Sequence, residues 1–133
     1  MNNAVMFSSA RLDWQTPREV IRSLEQEFGM LCDPCPSNHT FDGLKVEWGP
    51  VNFVNPPYGR KIGAWIKKGF EEAQKGKTVI FLIPSRTDTA WWQDYIMKAQ
   101  EIRFIRGRLK FGDSKNGAPF PSAIAIFKRG EAP

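Results

Sequence analysis

A nearly continuous apolar run from Thr78 to Ile83 restricts the fold of this chain more than any other segment. Strands that are covered on both faces of a parallel sheet have such runs, and Pro84 ends this one. Shorter apolar runs occupy four further segments, residues 30–32, 51–54, 102–105 and 122–127. Segments with helical spacing lie between several of these runs. Strands that alternate with helices predict an α/β fold, so we expect a three-layer sheet with mostly parallel strands.

Two helices have clear boundaries in the sequence. Thr16 is a capping residue, Pro17 suits the first helical position, and Glu19 completes a capping box. An apolar stripe follows, and Gly29 is a natural stop. A second stripe with helical spacing covers residues 62–73 and ends at a glycine.

A third helix is expected to begin at Thr87 or Asp88 and to continue to Ala99. It contains Trp91 and Trp92, and at helical spacing at least one of them is expected to pack in the core. Residues 108–111 are expected to form a further short strand.

The composition is that of an ordinary globular protein. The chain has 133 residues, 41% of them hydrophobic and 25% charged, which excludes a collagen-like or disordered chain. Residues 1–12 are polar and predict a flexible arm, and residues 13–133 are expected to form a single domain. No apolar run is long enough to cross a membrane, and the N-terminus lacks a signal-peptide pattern. With only two cysteines, a reducing cytoplasm is the expected location.

The charge balance favours an anionic partner. The 19 basic residues outnumber the 14 acidic ones, which gives a net charge of +5. Nucleic acid is the first partner that such a balance suggests, although many basic proteins bind nothing anionic.

Three segments follow directly after expected strands, and each is stiff or polar. They are residues 33–34, 55–58 and 84–86. Because the carboxyl ends of parallel strands meet at one edge of a sheet, and ligands bind there, we expect these segments to converge.

The Asn55-Pro56-Pro57-Tyr58 segment has the chemistry of an amine-binding corner. The two prolines remove backbone donors and fix the chain. The side-chain carbonyl of Asn55 and a neighbouring main-chain carbonyl can then grip both hydrogens of a planar NH₂ group. Tyr58 offers a face on which a flat base can stack. The alternative is a rigid strand-to-helix turn with a packed tyrosine.

The same tetrapeptide resembles the signature of S-adenosylmethionine-dependent methyltransferases that act on amino groups. More of the sequence is similar to the phage-type (Dam-like) DNA N6-adenine methyltransferase family, over about residues 13–128. The tetrapeptide alone is shared with glutamine and ribosomal guanine methyltransferases. The further segments that carry the resemblance are Asp13–Pro17, Asp33–Cys35, Asn38, Asp42–Leu44, Trp48, Pro84–Thr89, Trp91–Trp92, Gly107–Phe111 and Ala118–Ser122.

The resemblance implies a compact Rossmann-like methyltransferase fold and methyl transfer to the N6 amine of adenine in DNA. S-adenosylmethionine would be the cofactor, and the target adenine would be flipped out of the duplex or supplied single-stranded. The target would be held by residues 55–58. Residues implied to bind the cofactor are Thr16 and Pro17 at its methionine end, Asp33 and Pro34 near its amino-acid part, and Asp42 at the ribose. For Asp42, a polar turn before Gly43 is an equal alternative.

The sequence departs from the usual methyltransferase pattern after the first expected strand. No glycine-rich turn follows Asp33, and only 21 residues separate it from Asn55. We therefore expect the cofactor-binding half to be shortened. Little room remains for a separate recognition domain, so low sequence specificity or a short recognised site is expected.

Basic residues after two of the expected strands are candidates for nucleic-acid binding. They are Arg86, Arg106, Arg108 and Lys110, and the alternative for each is a solvated surface position. Cys32, Cys35 and His39 have a spacing compatible with zinc, and Asp33 or Asp42 could complete the set. Because His39 is the only histidine and no further cysteine exists, no metal is expected.

Two other functions stay open at this point. One is methylation of a different amine, in RNA adenine or protein glutamine. The other is a catalytically inactive nucleic-acid-binding module of the same fold, which the missing glycine turn keeps open. No membrane partner is expected, and the sequence predicts no particular oligomeric state.

Overall fold

The computed structural model describes the backbone of residues 5–6, and residues 16–36, 41–112 and 115–128. The strands are β1 (Val5–Met6), β2 (Cys32–Asp33), β3 (Val51–Val54), β4 (Thr78–Pro84), β5 (Glu101–Phe104) and β6 (Ser122–Lys128). The helices are α1 (Arg18–Phe28), α2 (Ile62–Gln74) and α3 (Ala90–Asp94), and a 3₁₀ turn covers Ile96–Lys98. The described helices are too short or too polar to cross a membrane.

The described strands form one sheet in the order β1-β2-β3-β4-β6-β5. The β2–β3 and β3–β4 pairs are parallel, and the other three pairs are antiparallel. The expected sheet of mostly parallel strands is thus confirmed only in part, because two of these five pairs are parallel. The reason is that β6 runs between β4 and β5 and opposes both of them. Strands β2, β3, β4 and β5 nevertheless all point in one direction.

Apolar cores cover both faces of the sheet, which confirms the expected three layers. On one face, α2 and α3 pack on Phe81 and Ile83 of β4 and on the alanines of β6. On the other face, Leu24 of α1 and the segment before β6 pack on Ile80 and Leu82. Trp92 lies in the first core and is buried, as expected for at least one of the tryptophan pair.

The helix starts differ from the predictions. Helix α1 follows Pro17, and within the described residues no side chain caps it, so the capping role of Thr16 is wrong. Helix α3 is capped by Thr89, whose Oγ1 accepts a hydrogen bond from the Trp92 amide at 3.3 Å. The prediction of Thr87 or Asp88 as the cap is therefore also wrong. Gly29 ends α1 with φ of 85°, as predicted.

Two predicted segments have other roles. Residues 108–111 form no strand, and the Leu109 carbonyl accepts a single hydrogen bond from the Ala118 amide at 2.7 Å. Val5 and Met6, which lie within the segment expected to be an arm, pair with Asp33 and Cys32. The rest of residues 1–12 lies outside the described residues.

Candidate active site

The carboxyl ends of three parallel strands meet at one edge of the sheet. Cys32 pairs with Asn52, and Val54 pairs with Phe81. The segments 33–34, 55–58 and 84–86 therefore leave the sheet on the same side, as predicted. The same edge includes the end of β5 and the start of β6, because Pro84 pairs with Ser122.

The Asn55 side chain is held at both ends of its amide. Its Nδ2 donates to Oγ1 of Thr16 at 3.3 Å, and its Oδ1 accepts from the Tyr58 hydroxyl at 3.0 Å. Within the corner, Pro56 is buried and Pro57 is exposed. The amide is thus oriented with its nitrogen towards α1 and its oxygen towards Tyr58.

Tyr58 is held by its surroundings as well as by Asn55. The Leu82 carbonyl lies 3.5 Å from the hydroxyl as a second acceptor. The ring of Phe120 meets the Tyr58 ring edge to face, with centroids 5.3 Å apart. Burial raises the pKa of Tyr58 above its usual value, so the hydroxyl stays protonated and acts as a donor.

Thr16 stands directly before α1 and is buried, with 7% of its surface exposed. The Pro17 carbonyl accepts the first backbone hydrogen bonds of the helix. The Thr16 hydroxyl does not cap the helix and instead accepts the hydrogen bond from Asn55. Sequence reasoning missed this contact because the two residues lie 39 positions apart.

The two candidate carboxylates differ in their surroundings. Asp33 is 3% exposed, and its Oδ1 accepts from the Cys35 amide at 2.9 Å. Asp42 is exposed, and its Oδ1 accepts from the Leu44 amide at 2.9 Å. The side chain of Asp42 therefore closes a local turn, which is the alternative role that the sequence indicates for this residue.

The segment before β3 packs closely against the end of β2. A Cβ atom on Gly43 would lie 2.0 Å from the Pro34 carbonyl oxygen and 2.5 Å from the Trp65 ring. The Gly43 carbonyl accepts from the indole nitrogen of Trp48 at 2.7 Å. The glycine thus permits a contact that any side chain would block.

A buried carboxylate on α2 anchors this segment. Glu72 is 1% exposed and accepts from the Trp48 amide at 3.0 Å. Burial alone would raise the pKa of Glu72, but hydrogen bonds from Lys75, Lys77, Trp48 and Lys68 outweigh it and lower the pKa to about 2. Sequence reasoning missed this group, although Glu72 follows Trp65 and Gly69 on the apolar stripe of α2 and lies beside the buried Ala73.

The candidate nucleic-acid contacts are all exposed. Arg86 follows β4, and Arg106, Arg108 and Lys110 follow β5. The guanidinium of Arg108 also donates to the Ala118 carbonyl at 3.2 Å.

The zinc alternative rests on residues that are only partly described. Cys32 is buried, Cys35 is half-buried, and His39 lies outside the described residues. Within the described part of the chain, no three His, Cys, Asp or Glu side chains form a metal-binding group.

Comparison with known families assigns the chain to one of them. A family model described as "DNA N-6-adenine-methyltransferase (Dam)" matches residues 4–129. The chain belongs to this Dam family. The match covers residues 55–58 and every candidate site residue, and it confirms the family resemblance noted in the sequence.

Two relatives are named "DNA N-6-adenine-methyltransferase". The one from Escherichia phage T1 is 33% identical over 72% of this chain. The one from Haemophilus phage HP1 is 25% identical over 78% of this chain. The matched part spans 45% of the length of the first relative and 68% of the second. No solved structure matches this chain.

Proposed function

We propose that this chain transfers a methyl group from S-adenosylmethionine to the exocyclic N6 amine of adenine in DNA. The observation that carries the proposal is the fixed orientation of the Asn55 amide in a proline-rich corner at the carboxyl edge of the sheet. Tyr58 directs the amide oxygen and Thr16 holds the amide nitrogen. Membership of the Dam family supports the same reaction.

The corner is suited to making an adenine amine reactive. This amine is a weak nucleophile because its lone pair is delocalised into the ring. Acceptors that hold its hydrogens favour a pyramidal nitrogen with a localised lone pair. A carbonyl oxygen has two lone pairs, so Oδ1 of Asn55 can accept from Tyr58 and from a substrate amine together. The main-chain carbonyl of Asn55 or Pro56 would supply the second acceptor, and the prolines offer no competing N–H group.

Tyr58 acts in this scheme as a donor and not as a base. Its raised pKa keeps the phenol protonated at neutral pH. The amine proton can leave after the methyl group is transferred, so no strongly basic side chain is needed. The Tyr58 ring also contributes an aromatic wall, which Phe120 supports from the side.

The residues at the end of β2 fit the amino-acid end of the cofactor. Asp33 places a buried carboxylate there, and a carboxylate is suited to an ammonium group. Thr16 contacts Asn55 and Pro17 follows it directly, so both residues would lie near the methionine end of the cofactor. Asp42 would face the ribose through the carboxylate oxygen that does not close its turn. S-adenosylmethionine, when bound, supplies a methyl group that its sulfonium makes electrophilic.

The sheet supports a compact Rossmann-like methyltransferase fold. Four strands point the same way, with helices on both faces. Between Asp33 and Asn55, the described residues 34–36 and 41–50 contain no helix or strand before β3. The lack of regular structure in these described residues supports a shortened cofactor-binding half.

The substrate adenine would be presented outside a duplex, because the corner cannot reach a stacked base. Arg86, Arg106, Arg108 and Lys110 would contact the phosphates beside it. Acting on DNA would place the protein in the cytoplasm, which is the host cytoplasm if a phage encodes it.

Transfer of labelled methyl groups tests the proposal. Unmethylated DNA, RNA and a glutamine-containing protein are offered separately with labelled S-adenosylmethionine, and the DNA product is digested to nucleosides. Label in N6-methyladenine from DNA, and its absence with Asn55→Ala, is the expected result. Label in RNA or protein alone would overturn the DNA assignment. Failure to bind S-adenosylhomocysteine in calorimetry would instead indicate an inactive binding module.

A further inference from the structure

Phe104 exposes an aromatic ring at the edge of the sheet that carries the candidate active site. It is the last residue of β5, and 68% of its surface is in contact with solvent. Strand β5 ends at the same edge as β3. Strand β5 is antiparallel to β6, and β3 is parallel to β4, which is also antiparallel to β6, so β3 and β5 point in the same direction. A single exposed apolar side chain is common on protein surfaces, so a role for this ring depends on what supports it and on the charge near it.

The ring is held in place from one side. Phe104 pairs with Ala123, which faces the core formed with α2 and α3. The ring stacks on the buried Trp92, with centroids 6.5 Å apart and planes 25° from parallel. A supported ring loses little freedom when a second flat group stacks on it.

The charge around Phe104 is positive. Described residues 85–89 and 105–112 contain three arginines and one lysine, against the single acid Asp88. Arg86, Arg106 and Lys110 form no ion pair within the described residues. Arg103, which points to the opposite face of the sheet, is instead paired with Glu27 and Glu101.

An exposed aromatic ring among unpaired cations matches the chemistry of a nucleic-acid strand. Cations neutralise the phosphates, and the ring offers a surface for a base. Three strand spacings separate β3 from β5, so Phe104 lies about 14 Å from the Asn55 corner. A ring at that distance meets a different nucleotide from the one held by Asn55.

We propose that Phe104 is a stacking site for a base of the DNA substrate other than the target adenine. This inference rests on the proposed function, because it assumes that DNA lies along this edge. Binding there would be tolerant of sequence, since every base has a face that can stack. It would anchor the strand while the target adenine occupies the Asn55 corner.

Fluorescence anisotropy with a fluorescein-labelled oligonucleotide of mixed sequence tests this site. Single-stranded and duplex forms are titrated with the protein in the presence of S-adenosylhomocysteine, at several salt concentrations. Phe104→Ala should weaken binding by about fivefold or more. The dependence of log affinity on log salt concentration should stay unchanged, because no phosphate contact is lost. Arg106→Gln should instead lower that slope by about one.

Met97→Ala is the matched control, because Met97 is 58% exposed on the turn that follows α3. It lies before β5, away from the carboxyl edge, and its replacement should leave binding unchanged. Phe104→Tyr should keep wild-type affinity and Phe104→Leu should lose it. The leucine variant keeps an apolar side chain, so it covers the case in which the alanine variant does not fold.

Unchanged affinity in the alanine and leucine variants would overturn the stacking site. So would a loss of affinity that accompanies a change from dimer to monomer in sedimentation, because Phe104 would then serve self-association. A wild-type protein that binds no oligonucleotide would refute the proposed function itself. Phe104 variants that bind and methylate DNA as well as the wild type would refute this inference alone.

Discussion

Asn55 and Thr16 are joined across the candidate site by a hydrogen bond of 3.3 Å from the amide nitrogen to the threonine oxygen. The bond links the end of β3 to the residue that precedes Pro17 and α1. Since the Tyr58 hydroxyl holds the amide oxygen, the amide cannot turn over without breaking both bonds. The local start of a helix is thereby connected to the group that would face the substrate amine.

Replacing Thr16 should therefore affect the reaction rate. Thr16→Val keeps the shape of the side chain but removes the acceptor, so the Asn55 amide can rotate and present its nitrogen to the substrate. A net hydrogen-bond contribution of about 0.5–1.5 kcal/mol corresponds to a fall in kcat of roughly twofold to tenfold. Methylation kinetics at saturating DNA and cofactor measure this value.

Thr16→Ser is the control, because it restores the acceptor and should keep most of the activity. The affinity for S-adenosylhomocysteine distinguishes the two roles assigned to Thr16. A valine variant with weakened cofactor binding and unchanged kcat would place Thr16 against the cofactor and not against Asn55.

Asn55→Ala should abolish most activity while preserving the fold. The variant removes the acceptor oxygen, and loss of a fixed polar group at a reacting centre typically costs about 100-fold to 1,000-fold in kcat. Stability should change little, because Asn55 is only half-buried and the Leu82 carbonyl remains near the Tyr58 hydroxyl. Single-turnover methylation and circular dichroism are the two measurements. Near-full turnover would disprove the acceptor account.

Local sequence patterns predicted the elements that carry the site. The apolar residues of β3, the proline corner after it and the run of β4 each signal their structure within a few positions. Their convergence followed from parallel pairing alone. The direction of β6 could not be predicted, because a run such as Ala123 to Phe127 is apolar on both faces whichever way it runs.

Contacts between distant residues were the part that sequence could not supply. Thr16 has the local pattern of a helix cap, but its hydroxyl oxygen accepts a hydrogen bond from Asn55. The choice among Thr87, Asp88 and Thr89 as cap depends on where the turn after β4 closes. Glu72 interrupts an apolar stripe, a signal that becomes informative only when Trp48 is known to lie opposite it.

Tyr58→Phe tests the role of the Tyr58 hydroxyl separately from the role of its ring. The variant keeps the contact with Phe120 but loses the hydrogen bond to Asn55, so kcat should fall about twofold to tenfold with little change in the KM for DNA. Because burial raises the pKa of Tyr58, the hydroxyl stays neutral through the alkaline range. The wild-type pH profile should therefore show no step near pH 10, the usual tyrosine value. A step there that disappears in the phenylalanine variant would contradict this assignment.

The Glu72 carboxylate should make stability depend on acid pH. Its pKa is about 2 in the folded chain and has an ordinary value of 4.5. The ionised group therefore stabilises the fold fully above pH 5, and this contribution is lost as the pH falls towards 2. A difference of this size corresponds to about 3 kcal/mol. Urea unfolding between pH 7 and pH 3 measures the loss.

Glu72→Gln should destabilise the protein by a similar amount at neutral pH, because the lysines that surround Glu72 lose their partner. It should also flatten the acid dependence. Glu71→Gln makes the same chemical change at the neighbouring residue, which is exposed, and is the matched control. Equal stability of the two variants at pH 7 would show that the buried carboxylate contributes no more than a surface one.

A methyl group at Gly43 should separate the segment before β3 from the end of β2. In Gly43→Ala the new Cβ would meet the Pro34 carbonyl and the Trp65 ring at distances that force one of them to move. Overpacking of this kind costs about 1–3 kcal/mol, so the midpoint of urea unfolding should fall. Because Pro34 follows Asp33, the affinity for S-adenosylhomocysteine in calorimetry should fall as well. Gly63→Ala is the control, since its Cβ would lie 3.9 Å from Trp91 and an alanine suits the interior of α2. If both variants bind S-adenosylhomocysteine with wild-type affinity, the end of β2 takes no part in holding the cofactor.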